Sequence, residues 1–290
     1  MSEYVIVTDS SADLDAAEVK ELDLQVIPLK FTLNGVTYSD YPDNRDMDPH
    51  AFYDRLRAGE VATTAALNLE DVKGAFEPIL KDGKDVLMLA FSSGLSSSCQ
   101  ACMLAAGELA EEYPDRKIYV VDTLCASRGQ GLLVYHTVMK KRAGATIEEA
   151  RDFAENNKLH LCHWFTVDDL MFLKRGGRVS ATAAALGTML SIKPVLHVDN
   201  EGHLINISKS RGRKSSIKAM VDKAAELAID PGSQTMFICH GDCLEEAEQL
   251  AQMVKERFGT QDIRIGYTGT VIGAHSGPGT LALFFLGSER

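Results

Sequence analysis

Apolar residues in this chain fall in short runs between polar turns, and the runs alternate between strand and helix periods. Tyr4 to Thr8 alternates and leads into Asp9-Ser10-Ser11-Ala12-Asp13, the pattern of a strand followed by a turn held by Asx and Ser side chains. Val26 to Leu33 reads as a second strand. Asn34-Gly35 before Val36-Thr37-Tyr38 is a hairpin signal, because both turn positions tolerate positive φ. Asp48-Pro49 predicts an N-cap with proline at the first helical position, in a helix that Gly59 ends. Ala62 to Leu67 reads as a loop. Asn68 then caps a helix in which Leu69, Val72, Phe76, Ile79 and Leu80 keep helical spacing. Val86 to Phe91 is continuously apolar, as a strand buried on both faces is. The Ser-rich segment Ser92 to Ser98, a helix to about Glu112 and a buried strand at Ile118 to Val121 follow, then a further helix. Thr146 and Glu149 form a capping box for a helix ending near Asn157.

Beyond about Leu159 the rhythm restarts. Strands are expected at Leu159 to Val167, Lys193 to Val198, Leu204 to Ser208, Thr235 to Cys239 and Ile263 to Thr268. Helices are expected around Ser180 to Leu190, Ser215 to Ala228 and Leu244 to Phe258. The alternation predicts an α/β layer structure of two domains, 1–160 and 161–290, each a mostly parallel sheet with flanking helices. No Pro- or Gly-rich linker marks the boundary near 158–162, so the two are expected to pack closely.

Composition narrows the function. Of 290 residues 45% are hydrophobic and 24% charged, ordinary for a globular chain. The net charge of −11 is spread without long like-charge blocks, which argues against nucleic acid and against adsorption to anionic lipid. The longest apolar runs, such as Val86 to Phe91 and Leu281 to Leu286, have six residues, against ~20 for a membrane-spanning helix. Met1-Ser2-Glu3-Tyr4 shows no basic-then-apolar leader, so a cytoplasmic location with reduced cysteines is expected. Cys99-x-x-Cys102 lies in an Ala-rich helical stretch, and Cys239-His240 with Cys243 lacks further ligands nearby. Both read as buried side chains and no metal is expected. Neither glycine-rich nucleotide fingerprint is present, so no ATP or NAD cofactor is expected.

Candidate chemistry sits in the loops. Phe91 to Ser98 joins a buried strand to a helix, so its free N–H groups and hydroxyls suit an anion at the helix start. Thr63-Thr64 can supply another hydroxyl to the same sheet edge. Helix capping alone also explains these residues. Gly94-Leu95-Ser96-Ser97-Ser98 lacks the second glycine of a nucleophile elbow; a serine hydrolase or acyltransferase using Ser96, with His275 as base, is the alternative reading. Arg175-Gly176-Gly177-Arg178 pairs a flexible backbone with two guanidinium groups suited to a carboxylate or phosphate. Ile272 to Gly279 reads as a turn-rich loop carrying His275, and Arg211 lies in a local basic cluster, Ser210 to Lys214.

Together the segments VTDSSADL, TTAALN, SSGLSSS, VDDLMFLKRGGRVS, SIKPVL and GAHSGPG, spread over nearly the whole chain, resemble the DegV family of bacterial fatty-acid-binding proteins, including the FakB type. The resemblance implies two α/β domains with a long-chain fatty acid between them, the carboxylate held by the first domain and the acyl tail in an apolar tunnel covered by the second. It implies a carrier without catalysis of its own, acting in phospholipid synthesis by presenting the acid to a separate ATP-dependent, FakA-like fatty acid kinase. A monomer is expected. Thr64 falls on the threonine of the family's TSQPS-like loop and Ser96 on the serine after leucine in its SSxLSG segment, which implies that these two bind the carboxylate. Ser93, Arg178, Arg211 and His275 correspond to supporting or partner-facing positions. Ala65-Ala66-Leu67 stand where Ser-Gln-Pro is usual, and Ser97 stands for Gly.

Overall fold

The computed structural model describes residues 3–180 and 192–290. The first half builds a parallel sheet of order β2-β1-β6-β7 from β1 (Tyr4–Asp9), β2 (Gln25–Ile27), β6 (Asp85–Ala90) and β7 (Ile118–Asp122). Its faces are covered by α3 (Leu69–Lys81) and α4 (Ser98–Glu112) on one side, and by α5 (Arg128–Arg142) and α6 (Ile147–Asn157) on the other. The unbroken apolar run of β6 follows from this sandwich. Val86, Met88 and Ala90 pack towards α3 and α4, while Leu87 and Leu89 pack towards α5 and α6.

The expected strand Val26 to Leu33 is two strands in different sheets. Pro28, which has no N–H to donate to a ladder, separates β2 from β3 (Lys30–Leu33). β3 pairs with β4 (Val36–Ser39) through the Asn34-Gly35 hairpin, whose φ angles are 50° and 76°, and on its other edge with β5 (Ala62–Ala65). Residues 62–65, read as loop from the sequence, are therefore strand. Phe31 lies opposite Thr64 and Thr32 opposite Thr63, and β-branched threonines suit an edge strand.

The second half builds a six-stranded sheet of order β10-β9-β8-β13-β11-β12, from β8 (Leu161–Thr166), β9 (Ile192–Val198), β10 (Leu204–Arg211), β11 (Met236–His240), β12 (Ile263–Tyr267) and β13 (Leu281–Leu286). The α/β class holds, but this sheet is mixed rather than mostly parallel. β11 and β12 are parallel and every other pairing is antiparallel, partly because the short β9–β10 turn leaves no room for a crossover. One face packs on α8 (Arg213–Leu227) and α9 (Leu244–Phe258), the other on α5 of the first half. β13 shows the division: Leu281, Leu283 and Phe285 face the helices, Ala282 and Phe284 face α5.

The caps at Asp48, Asn68 and Thr146 form as expected and start α2 (Pro49–Arg57), α3 and α6. The Asp9 carboxylate accepts from the Ser11 N–H at 3.1 Å, as the Asx reading requires. Cys99 and Cys102 lie on α4 and are buried in the apolar core. The expected helix around Ser180 to Leu190 lies, but for its first residue, outside the described residues.

Candidate ligand-binding site

A cavity opens at the carboxyl ends of β6 and β7, where parallel sheets bind ligands, and is closed by the inner face of the second sheet. Its empty volume is about 950 Å³, part of it open to solvent. Phe91, Leu95, Ala126, Phe165, Leu204 and Phe284 give it a mainly apolar wall. Thr64, Ser96, Arg178 and His275 line it too, although their sequence positions lie far apart.

Each of the four is positioned by a local device. On β5, Thr64 alternates inward with Ala62 while Thr63 and Ala65 are exposed. His275 does not sit on a loop, as its glycine-rich surroundings suggest, but in the last turn of α10 (Thr270–Ser276). Gly273 explains this: a Cβ there would lie 2.5 Å from the Tyr53 hydroxyl, so glycine lets α10 dock on the aromatic face of α2. Tyr53 fixes the helix entry by donating to the Thr268 carbonyl at 2.7 Å. Thr64 Oγ1 and His275 Nε2 then meet at 2.8 Å. Burial, with the nearby Arg178 cation acting in the same direction, pushes His275 down to about 4, so the ring is neutral at pH 7. Its Nδ1 is buried and has no hydrogen-bond partner.

Ser96 is held by the turn that starts α4. The Ser98 N–H donates to Ser96 Oγ at 3.2 Å, and the two hydroxyl oxygens lie 3.0 Å apart. Ser98 Oγ also accepts from the Leu67 N–H at 3.0 Å, which ties the exit of β5 to the start of α4. Arg178 follows α7 (Leu170–Arg175), a short helix capped by Asp169 that the sequence pattern does not reveal. Its guanidinium donates to the Leu95 carbonyl, from Nη2 at 2.9 Å and Nε at 3.2 Å, and to the Gly176 carbonyl. The loop carrying Ser96 is thus clamped from the second half of the chain. The turn before β10 presses on the same loop, with Ser92 Oγ donating to the Gly202 carbonyl at 2.9 Å.

Two candidate residues stand elsewhere. Ser93 is exposed and does not line the cavity; its N–H donates to Asp122 at 3.1 Å. Arg211 is exposed at the end of β10, opposite Ile192, also away from the cavity. The sequence reading in turn missed Ser98, and it missed Ser127, Cys239 and Thr268, which line the cavity. No local motif marks them, because they converge only in the folded chain.

A family model described as an uncharacterised protein, DegV family, matches residues 3–288. The chain belongs to the DegV family. A DegV domain-containing protein of Clostridium perfringens is 46% identical over 290 residues, spanning 100% of this chain and 99% of the relative. Among solved structures, a DegV family protein from Thermus thermophilus described for its fatty acid binding superposes with a TM-score of 0.86 at 28% identity, covering 98% of this chain and 99% of its own. A Thermotoga maritima protein described as revealing a fatty acid binding function gives a TM-score of 0.83 at 30% identity, over 98% of this chain and 99% of its own. The DegV fold accounts for the parallel first sheet and the mixed second sheet. No helix among the described residues is long and apolar enough to cross a membrane.

Proposed function

We propose that this DegV protein binds a long-chain fatty acid, with Thr64 and Ser96 donating to the carboxylate and the tail in the apolar cavity. The observation that carries the reading is the placement of the two hydroxyls on the cavity wall, Thr64 Oγ1 2.8 Å from His275 Nε2 and Ser96 Oγ within reach of the Ser98 N–H and hydroxyl. Assigned to the Nε2–H tautomer, neutral His275 donates to Thr64 Oγ1 and leaves the threonine proton free. Ser96 Oγ accepts from the Ser98 N–H and, in the matching assignment, from the Ser98 hydroxyl, which leaves its own proton free as well. With these assignments both hydroxyls keep a free proton to donate, which suits an anion better than a neutral head group. Arg178 adds positive potential to the same wall.

The tail dominates affinity and the head sets orientation. Hydrogen bonds to a charged group contribute roughly 1.5–3 kcal/mol each. Each buried methylene contributes about 0.8 kcal/mol, so a dozen outweigh the head before association costs. Hydrolysis by Ser96 with His275 is less favoured. His275 Nε2 pairs with Thr64 rather than Ser96, and no carboxylate orients its Nδ1 among the described residues.

In the proposed division of labour the chain is a FakB-type carrier of two units, 1–160 and 161–290. It presents the acid to a separate ATP-dependent fatty acid kinase for acyl-phosphate formation, and exposed Ser93 and Arg211 are available to that partner. Titration of stearic acid and stearyl alcohol into Thr64→Val and Ser96→Ala tests the site. Each variant should lose more affinity for the acid than for the alcohol, and equal losses contradict the assignment.

A further inference from the structure

The cavity wall carries a second polar group that the carboxylate site does not use. Ser127, Cys239 and Thr268 line it and are 6%, 1% and 1% exposed. Ser127 Oγ lies 3.4 Å from Cys239 Sγ, and Thr268 adjoins the same thiol. The Ser127 hydroxyl is also bonded to Asp13 behind the wall, so its proton is not free for a ligand. Thr268 differs: Oγ1 is buried without a conventional hydrogen-bond partner, and the thiol beside it is at best a weak one. A hydroxyl left in that state destabilises the site, and sealing it against methylenes would keep it so. Ser127 itself sits at φ 55° and ψ −149°, a conformation costly for a side-chain-bearing residue and typical of sites held by their surroundings.

The fold separates this group from the head-group site. Thr268 precedes the N-cap of α10 while His275 lies in its last turn; the five helical steps from Thr270 rise about 7.5 Å and the two non-helical steps before them add a few ångströms, so the two residues stand roughly 10 Å apart. An extended chain advances about 1.2 Å per bond, so the patch meets atoms roughly eight or nine bonds from the carboxyl carbon.

Resting on the fatty-acid reading, we propose that the tunnel takes a mid-chain hydroxy fatty acid, whose hydroxyl exchanges hydrogen bonds with Thr268 Oγ1 beside Ser127 and Cys239. A hydroxyl both donates and accepts, so it pairs Thr268 in a way that no methylene does.

Calorimetric titration of the wild type and Thr268→Val with stearic, 10-hydroxystearic and 3-hydroxystearic acids tests this. The wild type should bind the 10-hydroxy acid at least as tightly as stearic acid. Thr268→Val, which keeps the shape, should shift that ratio about three- to tenfold towards stearic acid. The ratio for the 3-hydroxy acid should not move. Stearic acid binding by the variant reports that it is folded, and Thr268→Ala repeats the comparison without the valine. Exclusion of the 10-hydroxy acid by a wild type that binds stearic acid overturns the inference, as does a ratio unchanged by both substitutions. Failure of every acid to bind the wild type overturns the fatty-acid reading itself, and the inference with it.

Discussion

Thr64 Oγ1 lies 2.8 Å from His275 Nε2, although 211 positions separate the two residues in the chain. The contact joins an edge strand of the first half to the last turn of α10 in the second. Gly176 is part of what holds it, since a Cβ there would lie 2.2 Å from His275 Nδ1. At φ −71° its backbone accepts any residue, so Gly176→Ala acts on the ring and not on the chain. The substitution should turn His275 away from Thr64 and weaken stearic acid binding by about tenfold, the effect of one charge-assisted hydrogen bond. Calorimetry for affinity and thermal melting for stability check it. A folded variant with unchanged affinity would show that His275 does not orient Thr64.

Asp40 makes stability depend on pH. Burial raises its carboxyl from 3.8 to about 6, against the hydrogen bond from Thr270 Oγ1 at 2.7 Å. The folded protein therefore keeps a proton that the unfolded chain releases between those values. The stability tied to that proton is present below pH 3.8 and is lost as pH rises through about 6. Asp40→Asn keeps an acceptor for Thr270 and removes the titration. It should raise stability by about 1–3 kcal/mol at neutral pH relative to its effect at pH 4. Urea denaturation at the two pH values measures the difference, and equal effects at both would contradict it.

Arg128 is 1% exposed; its Nη1 donates to Glu18 Oε2 at 2.8 Å and to the Asp13 carbonyl at 3.0 Å. Its guanidinium also lies over the Phe237 ring of the second sheet, 4.6 Å from the centroid. Glu18→Gln leaves this cation buried without its counter-charge and should cost roughly 3–5 kcal/mol. Glu18→Leu combined with Arg128→Met should recover much of the loss, because removing both charges also removes their desolvation. Denaturant midpoints of the single and double variants provide the check.

The sequence made local structure legible where one or two residues decide it. Asp48-Pro49, Asn68 with Asp71, and Thr146 with Glu149 each start a helix, and Asn34-Gly35 closes a hairpin. Reading failed where tertiary contacts decide. Residues 62–65 are strand only because β3 lies beside them, and 270–276 are helix because Gly273 admits Tyr53. Thr64 and Ser96 stand out through the family resemblance and do share a wall, whereas Ser93 and Arg211 do not reach it. Thr268 carries no sequence signal at all. Its hydroxyl, buried with no partner better than the Cys239 thiol, is a property of the assembled cavity.

The central claim is that this cavity holds a fatty acid carboxylate and its tail. Mass spectrometry of a solvent extract of the purified protein, beside an extract of a Thr64→Val, Ser96→Ala double variant prepared identically, tests it most directly. A long-chain fatty acid in near-stoichiometric amount from the wild type, and much less from the folded double variant, is the predicted result. Repeated wild-type preparations that yield no fatty acid, and take up none when it is added, would contradict it.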